Sequence, residues 1–467
     1  MRVCGAIIVL ILSVSFCAAG TVSEPIADGT FRSPLLKRDI VFRVFAPEDV
    51  GQQGKFGFAT VVYVKGLGIE RLGTVSDSEL IEGFLKKGMV VVEVDYGKDA
   101  MAKGADMYVD VVYMYRIFGA NFGLDPKKKS FSPLMDEFIG WDDKKIKTYT
   151  KFTAELGGKQ VEYKINPLWV YVIPAGYTID RDIEVMTVST PYRTAVRRID
   201  VIHPAKPAKG VPAVLKISAS RPIAGKYWSG LRKGMTLDQI EASLPPEDPA
   251  TQTRVSRGAC YVYTWMMAGY AGVIMDNVAS FETSVGLYRK DMIVPEGPCF
   301  PEKRALRLLR GRKDELGLSG KVAVMGMSKC NIRTVMSAII NDEHPSDRYF
   351  VEADKGPYAK ESGRFDAMIT GGVPWPYETD QWSVILDYLS DDDPPMVWCQ
   401  AVYLSRMKHR WYVEELMAKE NFLREKIVKR CEAFGVPCKT FFGTPIGHDF
   451  DYIHLQDIIS FVEPYMK

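Results

Sequence analysis

Apolar and polar positions alternate over residues 39–46 (DIVFRVFA), the two-residue period of a half-buried strand. Residues 59–65 (ATVVYVK) are apolar almost throughout and run into the turn Gly66-Leu67-Gly68. A helical pattern (SELIEGFLKKG) follows, and then a very apolar strand, MVVVEVDY. Strand, turn, helix, strand is the order that parallel pairing requires, because parallel neighbours need a crossover. Residues 21–38 show neither period and read as an unstructured lead-in. Residues 125–165 are lysine-rich and polar and read as a loop or insertion. Strand-like runs return within 167–190 (LWVYVI, DIEVMTV).

From about residue 193 the alternation of elements becomes regular. RRIDVIHPA and PAVLKISA read as strands, and the polar stretch 225–257 as an excursion. AGVIMDNV is a buried strand, and PEKRALRLLRGRKDELGL is an amphipathic helix with Ala305, Leu306, Leu308 and Leu309 on its apolar side. KVAVMGMS is a strand followed at once by the helix CNIRTVMSAII. FDAMITGG and PPMVWCQ are short apolar strands, NFLREKIVKRCEAFG a helix, and CKTFFGTP the last strand. Unbroken apolar strands between helices predict an α/β fold, its sheet mostly parallel and covered by helices on both faces. KKGMVVVEVDY also echoes MAGYAGVIMDN, and IFGANFGLDPKK echoes RKDELGLSGK. Two readings stay open: the N-terminal part is a truncated, degenerate copy of the later α/β unit, or two β-α-β segments coincide.

The start of the chain changes where the protein is expected to work. Arg2 is the first charge and Glu24 the next; residues 5–14 (GAIIVLILSV) are apolar, and Cys17-Ala18-Ala19-Gly20 offers small side chains for cleavage. This is the anatomy of a secretory signal peptide, shorter than a membrane span. Residues 1–20 are therefore assigned to the signal, 21–190 to an N-terminal α/β-like extension and 191–467 to the main domain. The mature chain is expected to be secreted or periplasmic, with lipid anchoring through Cys17 the competing reading, although Phe16 is bulky for that motif. No later segment has the run of ~18 uncharged apolar residues that spans a bilayer.

Across 467 residues, 60 basic side chains oppose 58 acidic ones, for a net charge of +2. That balance removes the electrostatic case for a nucleic-acid partner. Six cysteines follow the signal: Cys260, Cys299, Cys330, Cys399, Cys431 and Cys438. An oxidising compartment permits disulfides, and Cys431 and Cys438 are close enough to pair around the turn Phe434-Gly435-Val436-Pro437. Burial as small apolar side chains is the alternative. No cysteine or histidine spacing suggests zinc, and no cofactor motif occurs.

Chemistry concentrates at one strand-to-helix junction. Gly326-Met327-Ser328-Lys329-Cys330 sets a serine between the apolar strand and the next helix. A nucleophile elbow needs a sharp turn there, so that the hydroxyl stands clear of the sheet at the helix N-terminus. The usual G-x-S-x-G carries glycine where this chain has Cys330. Capping of the helix by Ser328 is the structural alternative. Among five histidines, His448 follows the last strand in PIGHDFDY, where a loop can lower an imidazole onto the serine as general base and then acid.

In order and content, residues 195–467 resemble an α/β-hydrolase of the carboxylesterase and feruloyl- or acetyl-xylan-esterase kind. RIDVIHPA, PAVLKISASRPIAGK, AGYAGVIMDNV, AVMGMSKC, GRFDAMITGGVPW, DDDPPMVWCQ and AFGVPCKTFFGTPIGHDF follow the family's succession of strands. The resemblance implies Ser328 as nucleophile and His448 as base. It implies oxyanion donors from the backbone of Lys329 and of the Ser218-Ala219-Ser220 turn, with Ala219 at its centre. It departs from the family in three places. Ser218-Ala219-Ser220-Arg221 stands where the family has H-G-G-G. Lys329 resembles the basic residue of glucuronoyl esterases. Ala401-Val402-Tyr403-Leu404-Ser405-Arg406 replaces the loop that normally carries the triad acid, leaving Glu414, Glu415, Asp380 and Glu352 as candidates, Glu414 foremost. The expected substrate is a small-molecule or polysaccharide ester, with Trp375, Tyr377, Trp382, Trp411 and Tyr412 available to stack on sugar or aryl groups, or to serve as core. Two alternatives remain: a secreted peptidase of the prolyl-oligopeptidase kind, and an inactive binding protein on the same fold.

Overall fold

The computed structural model describes residues 24–33, 36–52, 57–66, 74–97, 150–156, 159–189, 194–218, 233–236, 239, 242–243, 257–276, 301–327, 334–335, 337–339, 356–371, 386, 388–401, 424–444 and 455–467. They form two compact units, divided between Thr178 and Ile179, and each unit has its own mixed sheet.

The first unit holds β1 (Ala27–Arg32), β2 (Asp39–Phe45), β3 (Phe58–Lys65), α1 (Asp77–Lys86), β4 (Met89–Asp95), β5 (Thr150–Leu156) and β6 (Lys159–Pro174). Its strand order is β1-β2-β4-β3-β6-β5. Helix α1 begins where Ser76 can cap it. The Ser76 hydroxyl accepts from the Glu79 N–H, and the Glu79 carboxylate accepts from the Ser76 N–H at 2.9 Å. This reciprocal pair satisfies two donors that the first turn would leave open. Leu80, Ile81, Phe84 and Leu85 make the buried side of α1, and the Phe84 ring lies 6.1 Å from that of Tyr63 on β3. Gly66 ends β3 at φ +76, and a Cβ there would fall 2.5 Å from the Gly97 backbone nitrogen, so both conformation and space demand glycine.

Two stretches read from the sequence as irregular are strands. Residues 27–32, in the expected lead-in, pair antiparallel with β2 from Ala27↔Val44 to Arg32↔Asp39. Residues 150–165, in the expected loop, form β5 and the first half of β6, paired antiparallel from Thr150↔Ile165 to Leu156↔Lys159. Both β1 and β5 lie at sheet edges, where a strand needs little apolar surface and its polarity conceals it.

The second unit holds β7 (Tyr177–Ser189), β8 (Thr194–Pro204), β9 (Val211–Ser218), α2 (Arg257–Met267), β10 (Ala271–Asp276), α3 (Pro301–Gly311), β11 (Leu318–Met327), β12 (Ala367–Gly371), β13 (Met396–Ala401), α4 (424–434), β14 (Cys438–Thr444) and α5 (Leu455–Met466). Its strand order is β14-β13-β12-β11-β9-β10-β8-β7. Among the described residues this unit begins at Ile179, and β7 belongs to its sheet. The sheet expected to be mostly parallel is mixed: β8 runs antiparallel to β10, while β10, β9, β11, β12, β13 and β14 run parallel.

Alternate residues of the parallel strands enter two separate cores. Ala213, Leu215, Val322, Val324, Met368, Met396 and Trp398 pack with Ala305, Leu306, Leu308 and Leu309 of α3 and with Ile427 and Cys431 of α4. Val214, Ala323, Met325, Ala367, Ile369, Val397 and Cys399 pack with Trp265 of α2 and with Leu455, Ile458, Ile459 and Val462 of α5. Helices thus cover both faces, which is why these strands are apolar at consecutive positions instead of alternating. Asp366 fastens one end of this layer. Its carboxylate accepts from Arg310 at 2.7 Å, Lys321 at 3.0 Å and the Val322 N–H at 2.9 Å, tying α3, β11 and β12 together.

The two sheets share a pattern. In the first, β2 is antiparallel to β4, β4 parallel to β3, and β3 parallel to β6. In the second, β8, β10, β9 and β11 repeat that succession of neighbours and directions. The echo between KKGMVVVEVDY and MAGYAGVIMDN falls on β4 and β10, which hold equivalent places.

Candidate active site at the carboxyl edge of the second sheet

Parallel strands present all their carboxyl ends at one edge. In the second sheet Gly326 of β11 is level with Ile217 of β9, Met327 with Gly371 of β12, Gly371 with Cys399 of β13, and Ala401 with Thr444 of β14. The chain leaves β9 for β10 on one side and returns to β11 on the other. Strand order therefore reverses between β9 and β11. In an open α/β sheet that reversal leaves a crevice outside the carboxyl ends, since successive crossovers depart in opposite directions.

Four of the predicted site residues follow this edge closely in sequence. β9 ends at Ser218, one residue before Ala219. β11 ends at Met327, one residue before Ser328 and two before Lys329. β14 ends at Thr444, four residues before His448. Ala219, Ser328, Lys329 and His448 themselves lie outside the described residues, as do Ser220, Arg221, Cys330, Glu414, Glu415, Asp380, Glu352, Trp375, Tyr377, Trp382, Trp411 and Tyr412.

Two described residues beside the crevice were not singled out from sequence. Lys216 lies two positions before the end of β9, level with Met325, and is only 4% exposed. Thr370 on β12 is level with Gly326, and its fully buried hydroxyl has no hydrogen-bond partner among the described residues. A lysine inside PAVLKISA could have signalled the first, because a charge is costly in an otherwise apolar strand. Nothing in FDAMITGG distinguishes Thr370 from an ordinary strand residue.

The most perturbed carboxyl group among the described residues lies at the opposite edge. Asp393 precedes β13; burial pushes its carboxyl up to about 7, the Ser390 N–H works against that shift, and the charge of Asp392 adds to it. The Ser390 N–H donates to Asp393 at 2.8 Å and the Asp393 N–H donates back to Ser390 O at 3.3 Å, closing a tight turn. Its neighbour Asp392 is held low by the Ser390 hydroxyl at 2.5 Å and by Arg364. This is a loop closure before a strand. A perturbed pKa marks a functional site only where chemistry-bearing groups converge.

Among the described residues no group of three or more His, Cys, Asp or Glu could hold a metal ion, and no helix is long and apolar enough to cross a membrane.

No protein-family model and no curated protein matches the chain. Among solved structures it is similar to a truncated carbohydrate esterase from gut microbiota, at 11% identity over 62% of this chain and 96% of that one, with a TM-score of 0.39. It is similar to an acetyl ester-xyloside bifunctional hydrolase from Caldicellulosiruptor lactoaceticus, at 13% identity over 62% and 94%, with a TM-score of 0.34. It is also similar to an esterase from the Planctomycetes species Thermogutta terrifontis, at 13% identity over 63% and 93%, with a TM-score of 0.32. At these scores the fold of the second unit rests on its own strand order and two-faced core.

Proposed function

We propose that the chain is an exported serine hydrolase that cleaves carboxylic esters through Ser328 and His448. The observation that carries this reading is the reversal of strand order between β9 and β11, whose carboxyl ends lead directly into Ala219 and Ser328. In this reading His448 removes the Ser328 proton as the Oγ attacks the ester carbonyl. The resulting oxyanion is held by the backbone N–H of Lys329 and by an N–H of the turn at Ala219. His448 then protonates the departing alcohol, and water cleaves the acyl-enzyme by the same steps in reverse. Glu414 is the first candidate for the carboxylate that orients the imidazole, with Glu415, Asp380 and Glu352 behind it. The expected export signal and the resemblance of residues 195–467 to feruloyl- and acetyl-xylan-esterases favour an ester borne on a polysaccharide.

The test is labelling with a fluorophosphonate, followed by mapping of the adduct and hydrolysis of a panel of acetyl, feruloyl and uronoyl esters. The adduct is expected on Ser328 and to require His448. Ser328→Ala and His448→Ala are each expected to lower hydrolysis at least a thousand-fold. A folded protein that takes no label overturns the enzyme reading and leaves a binding role on the same scaffold. Cleavage of peptides in preference to esters would move the activity to the prolyl-oligopeptidase kind.

A further inference from the structure

The carboxyl end of α4 and the amino end of β14 are joined by a turn of a few residues. The Val436 N–H donates to Cys431 O at 2.9 Å, the Gly435 N–H donates to Glu432 O at 3.2 Å, and Gly435 takes φ +67. This helix-ending turn folds the chain back on itself. It brings the Cys431 side chain, on the last turn of α4, into hydrogen-bonding contact with that of Cys438, the first residue of β14. Both are free thiols, both pack in the core that contains Trp398, and Cys431 is buried while Cys438 is half-buried.

We propose that Cys431 and Cys438 form a reversible disulfide clasp that fastens α4 to β14. The oxidant is a disulfide of low molecular weight, such as oxidised glutathione. One of the two sulfurs attacks it as the thiolate, expels one thiolate and forms a mixed disulfide. The other sulfur then attacks the first and expels the second thiolate. The two protons lost by the cysteines end on the two released thiols, and the two electrons reduce the reagent's S–S bond. While both are reduced, the hydrogen bond from Cys438 holds the Cys431 thiol below its ordinary range and the same bond pushes Cys438 up, so Cys431 is the readier of the two to form a thiolate. Closing this loop removes freedom from the unfolded chain, so the oxidised form is the more stable. The clasp lies at the amino end of β14, away from the edge that leads to His448, and does not depend on the ester-hydrolase reading.

The purified full chain tests this directly. It is equilibrated with oxidised glutathione or with dithiothreitol, blocked with N-ethylmaleimide and cut with trypsin. Cleavage after Arg430 and Lys439 leaves both cysteines in one peptide, Cys431 to Lys439. After glutathione treatment that peptide is expected lighter by two hydrogens and unlabelled, and after dithiothreitol it carries two maleimides. The oxidised protein is expected to melt roughly 2–6 °C higher than the reduced one. Cys438→Ser, at the more exposed position, is expected to melt at the same temperature under both conditions. Two maleimides, or stable glutathione adducts, on the glutathione-treated protein would overturn the clasp. So would an oxidation-dependent rise in melting temperature that survives in Cys438→Ser.

Discussion

At the scale of single residues, Asp393 has the clearest consequence. Burial holds its carboxyl at about 7, whereas the unfolded chain releases the same proton near 4. Between those values the folded protein carries a proton that the unfolded chain has lost, so stability falls as pH rises through the window and stays reduced above it. Asp393→Asn keeps an acceptor for the Ser390 N–H and removes the charge. It is expected to raise stability at pH 8 by on the order of 2 kcal/mol and to change it little at pH 3.5, as read by chemical denaturation at both values. No such effect was legible in Ser390-Asp391-Asp392-Asp393, because four polar neighbours look alike until the fold buries one of them. Ser328 and His448, by contrast, stand out in the sequence itself: Ser328 directly follows β11, and His448 comes four residues after β14.

At the scale of elements, packing distances set what can change. Gly272 on β10 faces α2 so closely that a Cβ would stand 2.8 Å from the Val262 side chain. Gly272→Ala is therefore expected to force α2 away from the sheet and to cost about 1–3 kcal/mol, measured as a shift in urea midpoint at unchanged slope. The elements most legible from sequence were those buried on both faces, such as β4, β11 and β13, whose apolar runs admit no solvent-facing alternative. The two missed strands, β1 and β5, are edge strands held by backbone pairing that leaves little imprint on side-chain choice. β6 and β7 are nearly continuous strand-like sequence, and only pairing assigns them to different sheets.

At the scale of the molecule, the second unit rests on two cores separated by one sheet, so the sheet transmits damage from either side. Trp398 is fully buried within β13, on the face shared with α3 and α4. Trp398→Ala is expected to cost roughly 3–5 kcal/mol and to reduce hydrogen-exchange protection in β9 through β14. The similarity of the two sheets was legible only as a faint echo, because a shared strand order constrains which positions are apolar and leaves the residue types open.

The reversal of strand order between β9 and β11 also sets a timetable. β9 is complete at Ser218, yet β11, which pairs along one whole side of it, begins only at Leu318, about 100 residues later. At a synthesis rate of roughly 5–20 residues per second, one side of a strongly apolar strand waits about 5–20 seconds for its neighbour. During that interval β9 is a template for any other extended segment, and long-range parallel pairing is slow to correct a wrong partner. The crevice between β9 and β11 therefore cannot close until residues 318–327 have been made.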